Sequence, residues 1–242
     1  MNTTLPSDQT GRVSLLAGAL FLFSSLLFSA IAAPSSARLG LSGPVSGEAR
    51  VIDGDTLDIA GERIRLEGID APEMGQTCKS ATGRDWSCGT AAADRLRTLI
   101  KGQAVTCEPL GVDKYERMLG HCAAGATNLN RAMVETGFAW AFVKYSSEFV
   151  DAEAQARATH AGIWQGPATA PWDYRAGNWQ TAESVAPAGC AIKGNISDRG
   201  HVYHMPWSPW YAKVKIDSSH GERWFCSEAD AIAAGWRAAS PN

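Results

Sequence analysis

The chain has 242 residues, of which 45% are hydrophobic and 19% charged, a composition typical of globular proteins that excludes a wholly disordered chain. This length is sufficient for one sizeable domain and a second small one. The formal net charge of -3 excludes a protein that is basic overall. Any affinity for phosphate chains must therefore come from a local cluster of positive side chains or from a bound cation.

The first 33 residues have the pattern of a signal peptide. Arg12 precedes an apolar run at residues 15–23, and Ala30–Ile31–Ala32 has the small-x-small form of a cleavage site. The uncharged stretch at residues 13–37 is also long enough to cross a bilayer, so an uncleaved membrane anchor is the alternative. Both interpretations place the rest of the chain outside the cytoplasm: secreted or periplasmic if the segment is cleaved, and attached to the membrane if it is not.

Residues 50–67 are predicted to form a three-stranded meander. Apolar side chains alternate with polar ones in the second and third strands, and turn residues lie at Asp53–Gly54 and at 60–62. Helices are then predicted from apolar residues at helical spacing and from capping residues. The first helix is predicted between Cys88 and Lys101. The second begins at an N-cap at Asn128 and ends at Gly137, and the third begins at an N-cap at Ser146 or Ser147 and ends at Gly162.

A hairpin is predicted between the first two helices, with strands at 105–108 and 119–122 folded back around 113–117. In this register Cys107 lies opposite Cys122, at the Cα separation of about 5.5 Å that a disulfide accepts. Six cysteines in an exported chain indicate three disulfides, for which about fifteen connectivities exist. Pairing of chain neighbours favours Cys78–Cys88, Cys107–Cys122 and Cys190–Cys226.

The order of elements predicts an α+β fold: a five-stranded β-barrel of the oligonucleotide-binding (OB) type with three helices, followed by a small disulfide-bonded C-terminal domain. The predicted organisation is an N-terminal segment at 1–33, a linker at 34–47, the barrel domain at 48–167, a second linker at 168–188 and the C-terminal domain at 189–242.

Three short segments concentrate charged residues at predicted strand ends: 53–56, 65–73 and 113–117. Each one alone is explained by a turn, a solvated strand end or a polar hairpin tip. A barrel, however, brings strand ends to one rim, where Asp55 and Asp70 would form a costly like-charge pair unless a cation lies between them. Carboxylates, a carbonyl and waters form a flexible oxygen site, which favours calcium.

The strings at 51–57, 64–73, 113–117, 128–139 and 162–164 closely resemble the staphylococcal nuclease (thermonuclease) family. The resemblance covers residues 48–167 and implies a barrel with three helices. It also implies hydrolysis of DNA or RNA at the 5′ P–O bond, giving 3′-phosphates, with calcium as cofactor. The residues to which it assigns roles are Asp55, Asp70 and the Ala71 carbonyl as calcium ligands, Glu73 as the group that orients or deprotonates water, and Arg65 and Arg117 on the scissile phosphate.

Two departures from the family pattern affect the substrate site. Glu116 stands where glycine is common, and Val143 where the best-known member has a stacking tyrosine. Lys114, Tyr115 and Tyr145 remain the candidates for substrate binding. Residues 48–167 contain 13 Lys and Arg against 17 Asp and Glu, so binding is expected to be weak and dependent on a cation.

Residues 190–237 resemble a small module that often follows such nuclease domains. Cys190, His201, His204 and Cys226 offer four potential zinc ligands, but in an oxidising compartment the two cysteines are expected to form a disulfide. The leading hypothesis is therefore an extracytoplasmic calcium-dependent endonuclease, a phosphodiesterase acting on DNA or RNA, with no protein partner predicted. The alternatives are a non-catalytic nucleic-acid-binding module and an envelope scaffold.

Overall fold

The computed structural model describes residues 43–115, 117–198 and 200–239. The predicted signal peptide or anchor, most of the first linker and Glu116 lie outside these residues. All described residues belong to one unit, Leu39–Asn242. Within the described ranges, no helix combines the length and the apolar character needed to cross a membrane.

The first half of the structure contains the strands that build the barrel and the helix that covers it. In chain order the elements are β1 (Val45–Gly47), β2 (Ala49–Val51), β3 (Thr56–Ile59), β4 (Glu62–Leu66), β5 (Ile69–Asp70), β6 (Cys78–Lys79), β7 (Asp85–Trp86), α1 (Cys88–Ile100), β8 (Val105–Val112), β9 (Met118–Ala124) and β10 (Thr127–Asn128). The second half continues with α2 (Leu129–Glu135), β11 (Trp140–Ala141), α3 (Val150–Ala158), α4 (Pro171–Val185), β12 (Ile192–Ser197), β13 (Gly200–His204), β14 (Arg223–Phe225), α5 (Glu228–Ala233) and β15 (Arg237–Ala238).

The main sheet has the strand order β1-β8-β9-β4-β3-β2, and β10 adds to β9. All of its pairs are antiparallel except β4 with β9. The parallel pair sets the meander beside the hairpin, as a curled OB-type sheet requires. Three of its seven strands have three residues or fewer, so the strand number of the barrel depends on how the short ones are counted.

The meander follows from its turn chemistry and its alternation of apolar residues. Ala60 and Gly61 both have positive φ, 54° and 88°, the backbone of a tight hairpin turn between β3 and β4. The Gly61 N–H donates a hydrogen bond of 3.1 Å to Asp58. The alternating residues Leu57, Ile59, Ile64 and Leu66 are fully buried in the barrel core.

The predicted hairpin is formed by β8 and β9, and Cys107 lies opposite Cys122 in its register. Their Cα atoms are 4.0 Å apart, closer than the separation expected from the sequence. All three disulfides join the predicted partners, Cys78–Cys88, Cys107–Cys122 and Cys190–Cys226.

The first two helices occur where they were predicted, whereas the third begins later. Asn128 caps α2 by accepting a hydrogen bond from the Arg131 N–H. Helix α3 begins at Val150, so the prediction of Ser146 or Ser147 as its N-cap is wrong. Ser146 instead accepts from the Glu148 N–H, which stabilises a separate turn ahead of the buried Phe149.

The segment 168–188, predicted as a linker, contains the 15-residue helix α4. Pro171 starts this helix, a position where proline is well suited. Only Pro171 and Ala182 are fully buried in it, which explains why apolar periodicity did not predict a helix. At the other end of the barrel domain, the sheet begins at Val45, three residues before the predicted boundary.

The C-terminal residues form a separate four-stranded sheet of order β14-β12-β13-β15. Its core contains Ile192, Tyr203, Phe225, Ala231 and Trp236. Cys190 and Cys226 are joined in a disulfide, so they are not zinc ligands in this structure. In addition, His204 Nε2 lies 2.8 Å from Asn195 Oδ1.

Candidate active site

A cavity of about 990 Å³ lies between the mouth of the barrel and the C-terminal module. The barrel side contributes charged residues from the three segments highlighted by the sequence, and the other wall comes from α4 and the C-terminal sheet. The lining residues relevant to chemistry are Asp55, Arg65, Ala71, Glu73, Lys114, Tyr115, Arg117, Tyr145, Arg175, Tyr203, Trp207 and Trp210.

Asp55 lines the base of the cavity, Asp70 is fully buried next to it, and both are positioned by the surrounding backbone. Asp55 lies in the turn between β2 and β3, where its N–H donates a hydrogen bond of 3.1 Å to Asp53 Oδ1. The turn packs so closely that a Cβ on Gly54 would lie 2.6 Å from the Ala71 side chain, so only glycine fits. Asp70 lies in β5, opposite Trp140 of β11, and its side chain has no exposed surface.

Arg65 joins the two aspartates from strand β4. Its Nη1 donates to Asp55 Oδ1 and its Nη2 to Asp70 Oδ1, both at 2.9 Å. Asp55 Oδ2 accepts the Ala71 N–H at 2.8 Å, which fixes the Ala71 peptide beside the same carboxylate. The like-charge pair expected from the sequence is therefore present, and a guanidinium bridges it.

A second guanidinium, that of Arg175 in helix α4, also contacts this cluster. Its Nη2 donates to Asp70 Oδ2 at 2.7 Å and its Nη1 to Asp70 Oδ1 at 3.0 Å, a bidentate pair. The same Nη1 donates to Glu73 Oε1 at 2.8 Å. The sequence did not single out Arg175. Nothing in the local pattern of residues 168–188 points to it, because α4 has no apolar stripe from which a helix face could be predicted.

Burial and charge together determine the protonation of the cluster. Burial raises the pKa of Glu73 to about 7, although Arg175 opposes this effect. Burial also raises the pKa of Asp55 above its usual range, against the opposing charge of Arg65. For Arg65 and Arg175 burial would lower the pKa, but the neighbouring carboxylates raise it, so both guanidinium groups stay charged.

The remaining predicted residues lie on the walls of the cavity rather than in this cluster. Arg117 lines the cavity, but its guanidinium is bound to Asp113, with Nε 2.7 Å from Oδ2. Lys114 Nζ and the Arg117 guanidinium lie 4.7 and 5.2 Å from the centre of the Tyr115 ring. Tyr145 is 65% exposed, with its ring edge-on to Phe142. Val143 is exposed as well, at 66%.

The oxygen donors suit a hard cation in type but not in their present arrangement. Two aspartates, a carbonyl and a glutamate are ligands that calcium accepts. However, both oxygens of Asp55 and both oxygens of Asp70 accept hydrogen bonds from Arg65, Ala71 or Arg175. No group of three or more acidic, histidine or cysteine side chains arranged to hold a metal occurs in the part of the chain that the structure describes. The cluster as folded therefore does not fit the ion.

The fold and the site together define a curled OB-type barrel with an aspartate–arginine–glutamate cluster at its mouth. A family model described as staphylococcal nuclease homologue matches residues 63–166, and a model described as ArfC matches residues 172–238. The chain belongs to the staphylococcal nuclease-like family, which places it among nuclease-type hydrolases.

Three curated proteins illustrate the similarity, each aligned over 52% of this chain. The succinoglycan biosynthesis protein ExoI of Rhizobium meliloti (strain 1021) is 38% identical over 132 residues, which is 68% of its length. Micrococcal nuclease of Shigella flexneri is 35% identical over 144 residues, 77% of its length. An uncharacterized endonuclease of Escherichia coli O157:H7 is 36% identical over 134 residues, 81% of its length.

Proposed function

We propose that this protein is an extracytoplasmic nuclease that hydrolyses phosphodiester bonds of DNA or RNA. The observation that carries the proposal is the buried network in which Arg65 joins Asp55 to Asp70 at the base of a cavity lined by Glu73 and Arg117. Buried charges of this kind are costly to keep, and their place at the base of a cavity is typical of a catalytic site. The similarity to micrococcal nuclease of Shigella flexneri supports the same chemistry.

Glu73 is the proposed general base. Because burial raises its pKa to about 7, this carboxylate is suited to exchange a proton near neutral pH. In the proposed reaction a water oxygen bonds to phosphorus, its proton passes to Glu73, and the bond from phosphorus to the 5′ oxygen breaks. The leaving 5′ oxygen takes up a proton from solvent water, and the phosphate stays on the 3′ oxygen of the other fragment.

Arg117 is proposed to bind the scissile phosphate from the hairpin that joins β8 to β9. Its side chain lines the cavity and is partly exposed, so a phosphate can exchange for part of its contact with Asp113. Tyr115 and Tyr145 line the same cavity and are suited to stack on unpaired bases. Arg65 supplies a second positive charge, held in the cluster by the two aspartates.

Calcium dependence and a place outside the cytoplasm are part of the proposal. The oxygen donors at Asp55, Asp70 and Ala71 support a hard-cation requirement, whereas their bonds to arginine oppose it in this arrangement. The three disulfides support an oxidising compartment, secreted or periplasmic. The predicted N-terminal signal peptide or anchor supports the same placement.

Digestion of labelled oligonucleotides by the purified full chain tests the proposal. We expect single-stranded DNA or RNA to be cut in the presence of Ca²⁺ and to stay intact with a chelator, and the products to carry 3′-phosphates. The variant Glu73→Gln should lose about 10²–10⁴-fold in rate, as removal of a general base does. Glu135→Gln is the control and should leave the rate unchanged. Glu135 is an exposed residue of α2, and within the part of the chain that the structure describes its ion pair is with Arg131.

Two results would contradict this function. One is a substrate that survives with and without Ca²⁺ at high protein concentration. The other is a Glu73→Gln variant as active as the wild type. Salt-dependent binding of the same oligonucleotides without cleavage would instead favour the non-catalytic binding module.

A further inference from the structure

The carboxylates at the base of the cavity have a second cation besides Arg65, and it comes from outside the barrel strands. Arg175 in α4 donates three hydrogen bonds to them, two to Asp70 and one to Glu73, at 2.7 to 3.0 Å. Asp70 is fully buried and the Arg175 side chain is only 22% exposed. Such a desolvated, bidentate pair is much stronger than a surface ion pair.

Arg175 and a divalent cation need the same oxygen atoms. A hard cation such as Ca²⁺ binds carboxylate oxygens at about 2.3–2.6 Å. Both Asp70 oxygens and one Glu73 oxygen are within hydrogen-bond distance of Arg175. A cation that bound Asp70 would also face the guanidinium charge at close range, where repulsion is strong. The Arg175 contacts and the charge of its guanidinium therefore both oppose binding of a cation at Asp70.

The charge balance leads to the same conclusion. When all three are ionised, Asp55, Asp70 and Glu73 carry three negative charges, and Arg65 contributes one positive charge. The deficit of two charges would match one divalent cation. Arg175 supplies half of that deficit, which leaves a cluster with less need for a divalent ion.

Helix α4 holds Arg175 in place through several contacts with the barrel. The Tyr174 hydroxyl donates to the Gly75 carbonyl at 3.3 Å, and the buried Gln76 side chain donates to the Thr169 carbonyl at 2.7 Å. Trp172 stacks on Phe142 with ring centres 5.5 Å apart. These contacts direct the guanidinium into the cavity and lower the entropy cost of its bonds.

We infer that Arg175 is an internal competitor of the divalent cation at Asp70, the one proposed cation ligand to which it is bound. The segment that follows the barrel thereby sets the cation concentration at which the barrel site fills. Filling requires that Arg175 first leave Asp70, by a side-chain rotation or by a shift of α4. The inference rests on the proposed function for the identity of the site, but it concerns cation binding and is tested by it.

Calorimetric titration of the full chain with Ca²⁺ at constant ionic strength tests the competition. We expect Arg175→Gln to bind Ca²⁺ about tenfold more tightly than the wild type, or better, because the competing charge is gone. Arg97→Gln is the matched control, since Arg97 pairs with Asp94 on the exposed surface of α1 and its loss changes the net charge equally. Its affinity should stay within about twofold of the wild type.

Two further variants locate the effect. Asp70→Asn added to Arg175→Gln should abolish the gain, because the released oxygens belong to Asp70. Arg175→Lys keeps the charge but loses the planar fork, so its affinity should lie between the wild type and Arg175→Gln.

An Arg175→Gln affinity no higher than that of Arg97→Gln would overturn the inference. If Arg175→Gln does not fold, an Arg175→Lys affinity equal to that of the wild type would overturn it equally. Failure of the proposed function looks different. In that case Arg175→Gln gains Ca²⁺ affinity, yet none of the variants cuts nucleic acid.

Discussion

The barrel and the C-terminal module are stabilised in different ways. The main core of the barrel contains 23 buried residues in the described chain, most of them aliphatic, contributed by the sheet and three helices. The core of the C-terminal module contains five, and three of these are the aromatic residues Tyr203, Phe225 and Trp236. A core of five residues gives little stability to a domain of about fifty residues, so other interactions have to contribute.

Those other interactions are a disulfide and contacts with the barrel. Cys190–Cys226 closes most of the module, and Trp207 and Pro209 pack over Gly75 beside the acidic cluster. The helix that connects the two regions contributes Arg175, one of the two guanidinium cations of that cluster. We therefore expect the smaller region to draw part of its stability from its disulfide and its contacts with the barrel, and the site of the larger one includes a residue from the connection.

The largest effect is expected where the two regions meet, at Asp70. Asp70→Ala leaves the buried Arg65 and Arg175 without their shared partner, which should lower the free energy of unfolding by about 3–5 kcal/mol. Chemical denaturation followed by circular dichroism measures this loss. Asp94→Ala, which removes an exposed carboxylate paired with Arg97, is the control and should cost less than about 1 kcal/mol.

The outcome at Asp70 bears directly on the comparison. If Asp70→Ala were as mild as Asp94→Ala, the barrel core alone would determine stability and the acidic cluster would contribute nothing to the connection. A large loss that disappears when Arg175 is replaced as well would show that much of the cost comes from unpaired charge.

The next effect concerns the C-terminal disulfide. Replacement of Cys190 and Cys226 by serine opens a loop with a sequence separation of 36 residues. The chain-entropy model predicts a loss of about 3–4 kcal/mol for a loop of this size. Because the module core is small, we expect the module to unfold in a separate, earlier transition while the barrel transition stays in place. Near- and far-ultraviolet circular dichroism follow both transitions, because both regions contain tryptophans, and the expected result is two resolved steps.

The barrel disulfide provides the contrast. Serine at Cys107 and Cys122 should lower the stability of the barrel, but β8 and β9 stay joined by their ladder and by the surrounding core. If loss of Cys190–Cys226 instead shifted one unfolding transition of the whole chain, the prediction that the module unfolds separately from the barrel would be wrong.

Much of the barrel could be predicted because its determinants are local. The tight turn at Ala60–Gly61, the Asn128 cap and the register that pairs Cys107 with Cys122 each depend on residues close together in sequence. The cap of α3 was misplaced because Ser146 and Val150 lie only about one turn apart, and the N-cap is the buried Phe149, which makes no capping hydrogen bond through its side chain.

The missing part of the candidate site could not be read from local pattern. Arg175 is separated from Asp70 by 105 residues, and its helix lacks an apolar stripe. Conversely, the sequence grouped Arg117 with Arg65, whereas the structure binds Arg117 to Asp113 within its own hairpin. The place of Arg175 depends on how the chain packs over the cavity, which single-sequence patterns do not specify, whereas the Arg117–Asp113 pair is a local contact within the hairpin.

The smallest predicted effect is a pH dependence confined to the C-terminal module. Burial, with a contribution from the charge of Lys193, lowers the pKa of His204 below its usual value of 6.5. The folded module therefore favours neutral His204, and the unfolded chain takes up more protons as the pH falls below about 6.5. The contribution of neutral His204 to the free energy of unfolding is complete above that pH. It is lost as the pH falls toward the pKa of the folded state, with a slope of at most about 1.4 kcal/mol per pH unit.

Thermal unfolding of the module between pH 7.5 and pH 5 should show this loss in the wild type and a smaller one in His204→Gln. His160→Asn, which replaces an exposed histidine at positive φ, should keep the wild-type profile, and identical profiles for all three proteins would contradict a role for His204.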